Sequence, residues 1–191
     1  MTKPSGKSER IWLLIALAFV VFWILYLALL GPRRSVQSLE DSGMRGPAEF
    51  DWTVLDLNDE PVRFSRFKGK TIFLNIWATW CQPCVREMPS IARLAEDPRL
   101  QGKGIEFVCV STDDSSATVR SFLQDRSWGM TFLRAEKLPA AFSTEGIPAT
   151  FLITPDGRIA ASQVGSDQWD TPQVVAFLEK IASSKPLPSA R

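Results

Sequence analysis

Residues 73–90 read Phe-Leu-Asn-Ile-Trp-Ala-Thr-Trp-Cys-Gln-Pro-Cys-Val-Arg-Glu-Met-Pro-Ser. The run 71–78 is nearly all apolar and rich in residues that favour strands, which predicts a strand buried on both faces. From 82 to 96 the apolar positions recur at helical spacing, which predicts a helix with one buried face. The sequence therefore predicts a strand that leads directly into a helix, with Cys81 and Cys84 at the junction.

The position of the two cysteines suggests their chemistry. Cys81 falls at the start of the helix, where unpaired backbone N–H groups and the helix dipole favour an anion, so we expect it to be the attacking thiolate. Cys84 lies three positions on and shares its helix face, so it can attack a mixed disulfide and release the reduced partner. A purely structural disulfide is the alternative, but so short a loop would add little stability. The spacing favours a redox-active dithiol.

Composition excludes several other kinds of chemistry. The 191 residues include no histidine, which rules out a Ser/His/Asp triad, a Cys/His protease pair and a histidine-bearing zinc or copper site within the chain. The third cysteine, Cys109, cannot complete a common zinc site, and Val85 after the second cysteine excludes a CxxCH haem attachment. The net charge of +1 gives no indication of nucleic-acid binding. We expect no metal and no cofactor.

The rest of the chain alternates strand and helix patterns, which predicts an α/β domain over residues 48–183. We expect a mixed central sheet with helices on both faces. The predicted elements are a hairpin within 50–64, strands at 71–78, 104–111, 130–133, 149–154 and 159–164, and helices at 82–96, 115–126, 138–142 and 171–182.

The N-terminal region carries an uncharged run at 11–30. At about 1.5 Å per residue it matches a hydrocarbon core of about 30 Å, which predicts a transmembrane helix. A cleaved signal peptide is the alternative, but the run is longer than usual and lacks a small-x-small cleavage pattern. Around it we expect a short basic flank at 1–10, a linker at 31–47 and, at the far end, a flexible tail at 184–191. Basic residues are balanced on the two sides, so charge alone leaves the orientation open.

Residues 73–90 resemble the active-site segment of the thioredoxin superfamily, and more narrowly its membrane-anchored, redoxin-type TlpA, ResA and DsbE-like branch. A second segment, Gly146-Ile-Pro-Ala-Thr-Phe-Leu-Ile-Thr-Pro-Asp-Gly157, matches in the right order. The resemblance covers about residues 47–183 and implies a thioredoxin-like fold. It also implies a cis bond before Pro148, beside Cys81, where a substrate strand pairs with the neighbouring backbone.

The same resemblance implies roles for two tryptophans and one acid. Trp77 and Trp80 would form walls of the site, although core packing alone is an equal interpretation of Trp77. Many thioredoxins place a buried carboxylate where this chain has Asn75, and a neutral amide cannot act as a base. Asp114 corresponds to an acidic position near the dithiol in some ResA-like relatives, and a solvated or helix-capping aspartate is the alternative. Cys109, within an apolar strand, is interpreted as a buried inert thiol, with a third redox thiol as the alternative.

The function implied is that of a thiol-disulfide oxidoreductase, anchored by one pass in the cell membrane with its domain on the extracytoplasmic, periplasmic side. We expect it to reduce protein disulfides in cytochrome c maturation, with apocytochrome c or an oxidase assembly factor as substrate and a membrane partner as electron donor. Residues 11–30 would contact the lipid bilayer. The alternatives are a peroxiredoxin-like peroxidase, although a Pro-x-x-x-Thr-x-x-Cys setting is missing, and a Cu(I)-binding chaperone, although histidine ligands are missing.

Overall fold

The computed structural model describes residues 6–30 and 46–184 of the chain. They belong to two compact units, one containing an N-terminal helix and the other an α/β domain. The predicted linker 31–47 and tail 184–191 lie mostly outside the described residues, as does the first half of the predicted flank 1–10.

Helix α1 (Gly6–Leu30) belongs to the first unit. Its side chains are described from Arg10 to Tyr26, and the large apolar ones among them are exposed. Within the described part of the chain, no helix is both long enough and apolar enough to cross a membrane. The run 11–30 is thus confirmed as helical, and its role as a transmembrane anchor stays a prediction.

The second unit contains, in its described part, seven strands and three α-helices. Every predicted strand is present, and the predicted helix at 138–142 is a short 3-10 helix, as is a second one at 64–67. In chain order the elements are β1 (Thr53–Leu55), β2 (Pro61–Arg63), a 3-10 helix (Phe64–Phe67), β3 (Thr71–Trp77), α2 (Gln82–Ala95), β4 (Ile105–Ser111), α3 (Ser116–Leu123), β5 (Thr131–Arg134), a 3-10 helix (Ala140–Phe142), β6 (Ala149–Ile153), β7 (Ile159–Val164) and α4 (Pro172–Ala182).

The seven strands form one mixed sheet in the order β2-β1-β5-β4-β3-β6-β7. Strands β3, β4 and β5 run parallel, and the remaining pairs are antiparallel. Strand β3 is hydrogen-bonded to β4 on one side and to β6 on the other, and all seven of its residues are buried. This explains its apolar run, because a central strand covered on both faces has no solvent-facing position.

The two faces of the sheet are covered differently, which corrects the prediction of helices on both faces. Helices α2, α3 and α4 all pack in one cluster with the side chains of Phe73 and Trp77. The opposite face, which carries Ile72 and Leu74, is covered by the 3-10 helices and the segment before β1. Aromatic side chains replace a helix there, and Phe64 packs against four other aromatic rings.

The domain begins two residues before its predicted boundary. Ile159 donates its N–H to the carbonyl of Gly46, and Pro47 forms an isolated bridge with Arg158. Both contacts lie at the predicted turn between β6 and β7, where Gly157 adopts a φ of +79° that favours glycine. Residues 46 and 47 belonged to the predicted linker because that segment lacks periodic apolar positions, but they pair with the hairpin turn instead.

Candidate active site

The dithiol lies where β3 gives way to α2. Cys81 is the N-cap residue of α2, and the backbone N–H of Cys84 donates to its sulfur at 3.3 Å. The two cysteines form a disulfide, with their Cα atoms 5.3 Å apart. Cys84 is completely buried, whereas Cys81 remains 6% exposed. Cys81 is thus the more exposed residue of the pair, which agrees with its predicted role as the attacking cysteine and that of Cys84 as the resolving one.

The second motif meets the first at this point. The Ile147–Pro148 peptide bond is cis, as the resemblance implied. The carbonyl oxygen of Ile147 lies 3.7 Å from the sulfur of Cys81. The carbonyl of Pro148 accepts the N–H of Gly165, so it is already paired within the sheet edge. Two segments 66 residues apart in sequence therefore form one surface beside the reactive sulfur.

The two predicted tryptophans have different environments. Trp80 is 66% exposed and directly precedes Cys81, so its indole is available to a partner. Trp77 is fully buried and packs against Phe122 and Phe132, which is the core-packing interpretation. Of the two, only Trp80 can form a wall that a visiting protein touches.

A buried carboxyl that the sequence reasoning missed lies on α2. Glu87 is 3% exposed and accepts three hydrogen bonds: from Asn75 Nδ2 at 2.9 Å, from the backbone N–H of Asp167 at 3.0 Å and from Trp169 Nε1 at 3.0 Å. Asn75 stands on β3 at the place where many thioredoxins carry the buried acid. The carboxyl is thus present, but it comes from the helix rather than from the strand.

Burial raises the pKa of the Glu87 carboxyl above its ordinary value, although its three hydrogen bonds act in the opposite direction. A carboxyl with a raised pKa is a stronger base than an ordinary carboxyl and so is better suited to take a proton from a neighbouring thiol. Glu87 follows Cys84 by three positions, on the same face of α2, so it is the buried group suited to take the Cys84 proton. Its position on the apolar stripe with Met88 and Ile91 was the signal available in the sequence.

The acidic loop after β4 separates into one buried and one exposed aspartate. Asp114, the predicted site residue, is exposed, and α3 is capped by the hydroxyl of Ser115 instead. Its neighbour Asp113 is buried and accepts hydrogen bonds from Thr79, two residues before the reactive cysteine. The contact between this loop and the approach to the dithiol is therefore made by Asp113.

Cys109 is buried in β4, and burial raises the pKa of its thiol, with a smaller contribution from the negative charge of Glu87. Its sulfur lies 3.9 Å from that of Met130. A thiol held neutral and away from solvent fits the inert interpretation. Among the described residues, no group of three or more cysteine or acidic side chains is arranged to hold a metal ion.

A helix-capping CxxC disulfide beside a cis-proline, in a sheet of this topology, defines a thiol-disulfide oxidoreductase with a thioredoxin-like fold. Comparison with known proteins agrees. The chain belongs to the Redoxin family, whose profile matches residues 42–178.

Relatives and solved structures extend this match over most of the chain. A thiol-disulfide oxidoreductase ResA of Bacillus cereus is 28% identical over 181 residues, which cover 94% of this chain and 98% of the relative. ResA of Bacillus subtilis (strain 168) is 28% identical over 170 residues, which cover 87% of this chain and 89% of the relative. A solved structure from Bacteroides vulgatus superposes with a TM-score of 0.61 at 27% identity, covering 71% of this chain and 94% of that one. A thiol:disulfide interchange protein from Chlorobium tepidum TLS shares the fold, with a TM-score of 0.57 at 20% identity. The match covers 71% of this chain and 97% of that one.

Proposed function

We propose that this protein is a membrane-anchored reductant of protein disulfides that acts outside the cytoplasm, in the manner of cytochrome c maturation factors. The observation that carries the proposal is the asymmetry of the dithiol. Cys81 reaches solvent at the start of α2, whereas Cys84 is sealed behind it. Such a pair accepts a partner's sulfur at one position and resolves the complex from the other.

The reaction begins with both cysteines reduced. The Cys81 thiolate attacks one sulfur of a substrate disulfide, which forms a mixed disulfide and expels the other substrate sulfur as a thiolate. Cys84 loses its proton and attacks the sulfur of Cys81, which releases the second substrate thiolate. Two electrons pass to the substrate, whose two thiolates take up protons, and the protein is left as the Cys81–Cys84 disulfide. Glu87 is the buried group suited to receive the Cys84 proton.

The proposed membrane anchor rests on the composition of the N-terminal helix. Residues 11–30 carry no charge, and α1 presents exposed apolar side chains along its described part. The match to ResA of Bacillus cereus covers 94% of this chain, which leaves too few residues outside it to omit the whole of α1. The likeness thus includes at least part of the N-terminal helix as well as the α/β domain.

The extracytoplasmic side fits the proposed substrates, because protein disulfides form and persist mainly where glutathione does not keep thiols reduced. An external reductase ends each turnover oxidised, so a membrane partner must return two electrons to the Cys81–Cys84 pair. Among protein disulfides, the cysteines of apocytochrome c awaiting haem, or those of an oxidase assembly factor, are the substrates we propose.

The decisive experiment is the reduction potential of the Cys81–Cys84 pair, measured on the full chain in mild detergent by equilibration with dithiothreitol and glutathione. We expect a value toward the reducing end of the dithiol range, near about −270 mV. A value near about −120 mV would indicate a disulfide-forming oxidant and contradict the proposed direction. Cys109→Ala serves as the background, because it leaves the dithiol as the only redox couple.

The compartment is tested separately in intact cells that express the full chain. A cysteine introduced in place of exposed Ser184 should react with a membrane-impermeant maleimide before lysis, in the Cys109→Ala background. Labelling only after lysis would place the domain inside the cytoplasm. The two measurements fail independently, so direction and compartment can be judged one at a time.

A further inference from the structure

The link between β3 and the reactive cysteine is a single turn. The N–H of Cys81 donates to the carbonyl of Ala78 at 3.2 Å, so residues 78–81 close on themselves before α2 begins. Thr79 and Trp80 are the two middle residues of this turn. The direction of the Trp80 indole and the placement of the Cys81 sulfur therefore both depend on how the Thr79 peptide is held.

Thr79 is held by a carboxylate from the loop that follows β4. Its backbone N–H donates to Asp113 Oδ2 at 2.9 Å, and its hydroxyl donates to Asp113 Oδ1 at 2.7 Å. Both oxygens of one side chain thus bind the backbone and the side chain of one turn residue. Because Asp113 is only 4% exposed, these bonds form where water competes poorly.

Asp113 is itself fixed by the end of β4. The hydroxyl of Ser111 donates to Asp113 Oδ2 at 2.6 Å and accepts the N–H of Asp113 at 2.9 Å. Next to it, the N–H of Thr112 donates to the carbonyl of Trp77 at 2.9 Å, one residue before the turn. The Asp113 carboxylate is thus fixed by Ser111 on the side away from Thr79. Within the described part of the chain it forms no ion pair, so it is held by hydrogen bonds.

We propose that Asp113 is a positioning residue for the dithiol: by clamping Thr79 it fixes the 78–81 turn, and with it the approach of a partner to Trp80 and Cys81. The inference rests on the exchange reaction of the proposed function and is independent of its direction and compartment. Asp113, rather than Asp114, is then the acidic residue of this loop that acts on the site. It acts by holding Thr79 in position rather than by transferring a proton.

The test compares variants of the full chain in exchange with insulin, a protein disulfide, and with a small aromatic disulfide. Asp113→Ala should lower the second-order rate constant for both about ten-fold, because hydrogen bonds to a charged group are the stronger kind. Asp113→Asn should stay within about three-fold, since its amide oxygen can accept the Thr79 N–H and its NH₂ can donate to a hydroxyl. Asp125→Ala, an exposed aspartate on another loop, is the matched control and should behave as the parent.

Two further readouts separate positioning from mere stability. Thr79→Val removes one of the two bonds to Asp113, so Thr79→Val combined with Asp113→Ala should be no slower than Asp113→Ala alone. The ¹⁹F signal of 5-fluorotryptophan at position 80, assigned through Trp80→Phe, should shift or broaden in Asp113→Ala and remain unchanged in Asp113→Asn.

Several results would overturn the proposal. One is an Asp113→Ala protein that unfolds earlier but, while folded, reacts at the parental rate with an unchanged Trp80 signal. Another is a rate loss in Asp114→Ala that is absent in Asp113→Ala. A parent chain without exchange activity would refute the proposed function itself, so the two failures are distinguishable.

Discussion

Replacing Glu87 by glutamine should change how the stability of this protein depends on pH. Burial raises the pKa of this carboxyl in the folded state, so the folded protein binds its proton more tightly than the unfolded chain does. The free energy of unfolding is then greatest below the ordinary pKa of 4.5 and falls as pH rises through the raised value. With one proton involved, the slope is at most about 1.4 kcal/mol per pH unit.

The chain is well suited to this measurement because it contains no histidine. Ordinary carboxyls finish titrating below about pH 5.5, and thiols begin near about pH 7.5. Cys81 and Cys84 are joined in the disulfide and do not titrate. A fall in stability between these limits indicates a carboxyl with a raised pKa, and among the described carboxyls Glu87 is the one whose pKa is raised by burial.

The contacts around Glu87 predict that glutamine will fit. Its oxygen can accept the two bonds from Asp167 and Trp169, which leaves its NH₂ facing Asn75. Asn75 Oδ1 is buried and accepts no hydrogen bond from the described residues. In this structure the Thr150 hydroxyl lies 2.9 Å from Asn75 Nδ2 and accepts its hydrogen bond. If the Asn75 amide rotates by 180°, Oδ1 takes the place of Nδ2. It then accepts one hydrogen bond from the glutamine NH₂ and one from the Thr150 hydroxyl. The same rotation would accommodate a protonated Glu87.

The assay is urea unfolding of the oxidised full chain at pH 5, 6, 7 and 8. The parent should lose stability as pH rises from 5 to the raised pKa of Glu87 and level off above it, whereas Glu87→Gln should remain level and be the more stable of the two at pH 8. Glu96→Gln, an exposed glutamate at the end of the same helix, should follow the parent. Glu87→Ala leaves three donors without an acceptor and should cost about 3 kcal/mol or more. A parental slope in Glu87→Gln would refute the reasoning.

Three further outcomes follow from burial and exposure at the site. Cys84→Ser should accumulate mixed disulfides with protein substrates through Cys81, visible on non-reducing gels and missing from the Cys81→Ser protein. Trp80→Ala should change the free energy of unfolding by less than about 0.5 kcal/mol, yet raise the KM for a protein disulfide about ten-fold while sparing a small disulfide, because only a protein partner covers the indole. Cys109→Ser should leave the exchange rate unchanged but cost about 1–3 kcal/mol in denaturant titrations, since it places a hydroxyl in an apolar strand.

The strands and helices of the domain could be predicted from sequence because their signals are local. The apolar run at 71–78 has the length and composition of a central strand, and the helical spacing after Cys81 continues for four turns. The turn that contains Gly157 combines residues whose backbone preferences all favour a turn. The resemblance added the pairing of Cys81 with Pro148, which no local pattern contains.

What the sequence did not reveal depends on contacts between distant residues. Glu87 was passed over because a glutamate in a helix is ordinarily solvated, and its burial depends on Trp169, 82 positions away. The choice between Asp113 and Asp114 turns on which side chain faces Thr79, 34 positions earlier. The covering of one sheet face by aromatic rings was likewise hidden, because 3-10 helices of three or four residues have no periodicity to detect.

The central place of β3 also determines how a partner can tell the two redox states apart. Because that strand is bonded on both sides and buried throughout, its amides should exchange with solvent only through global unfolding, whether the sulfurs are joined or separate. We therefore expect the backbone of β3 to be the same in the oxidised and the reduced protein. An electron donor must bind the oxidised form and not the reduced form. It can distinguish the two only by the short surface around the sulfurs.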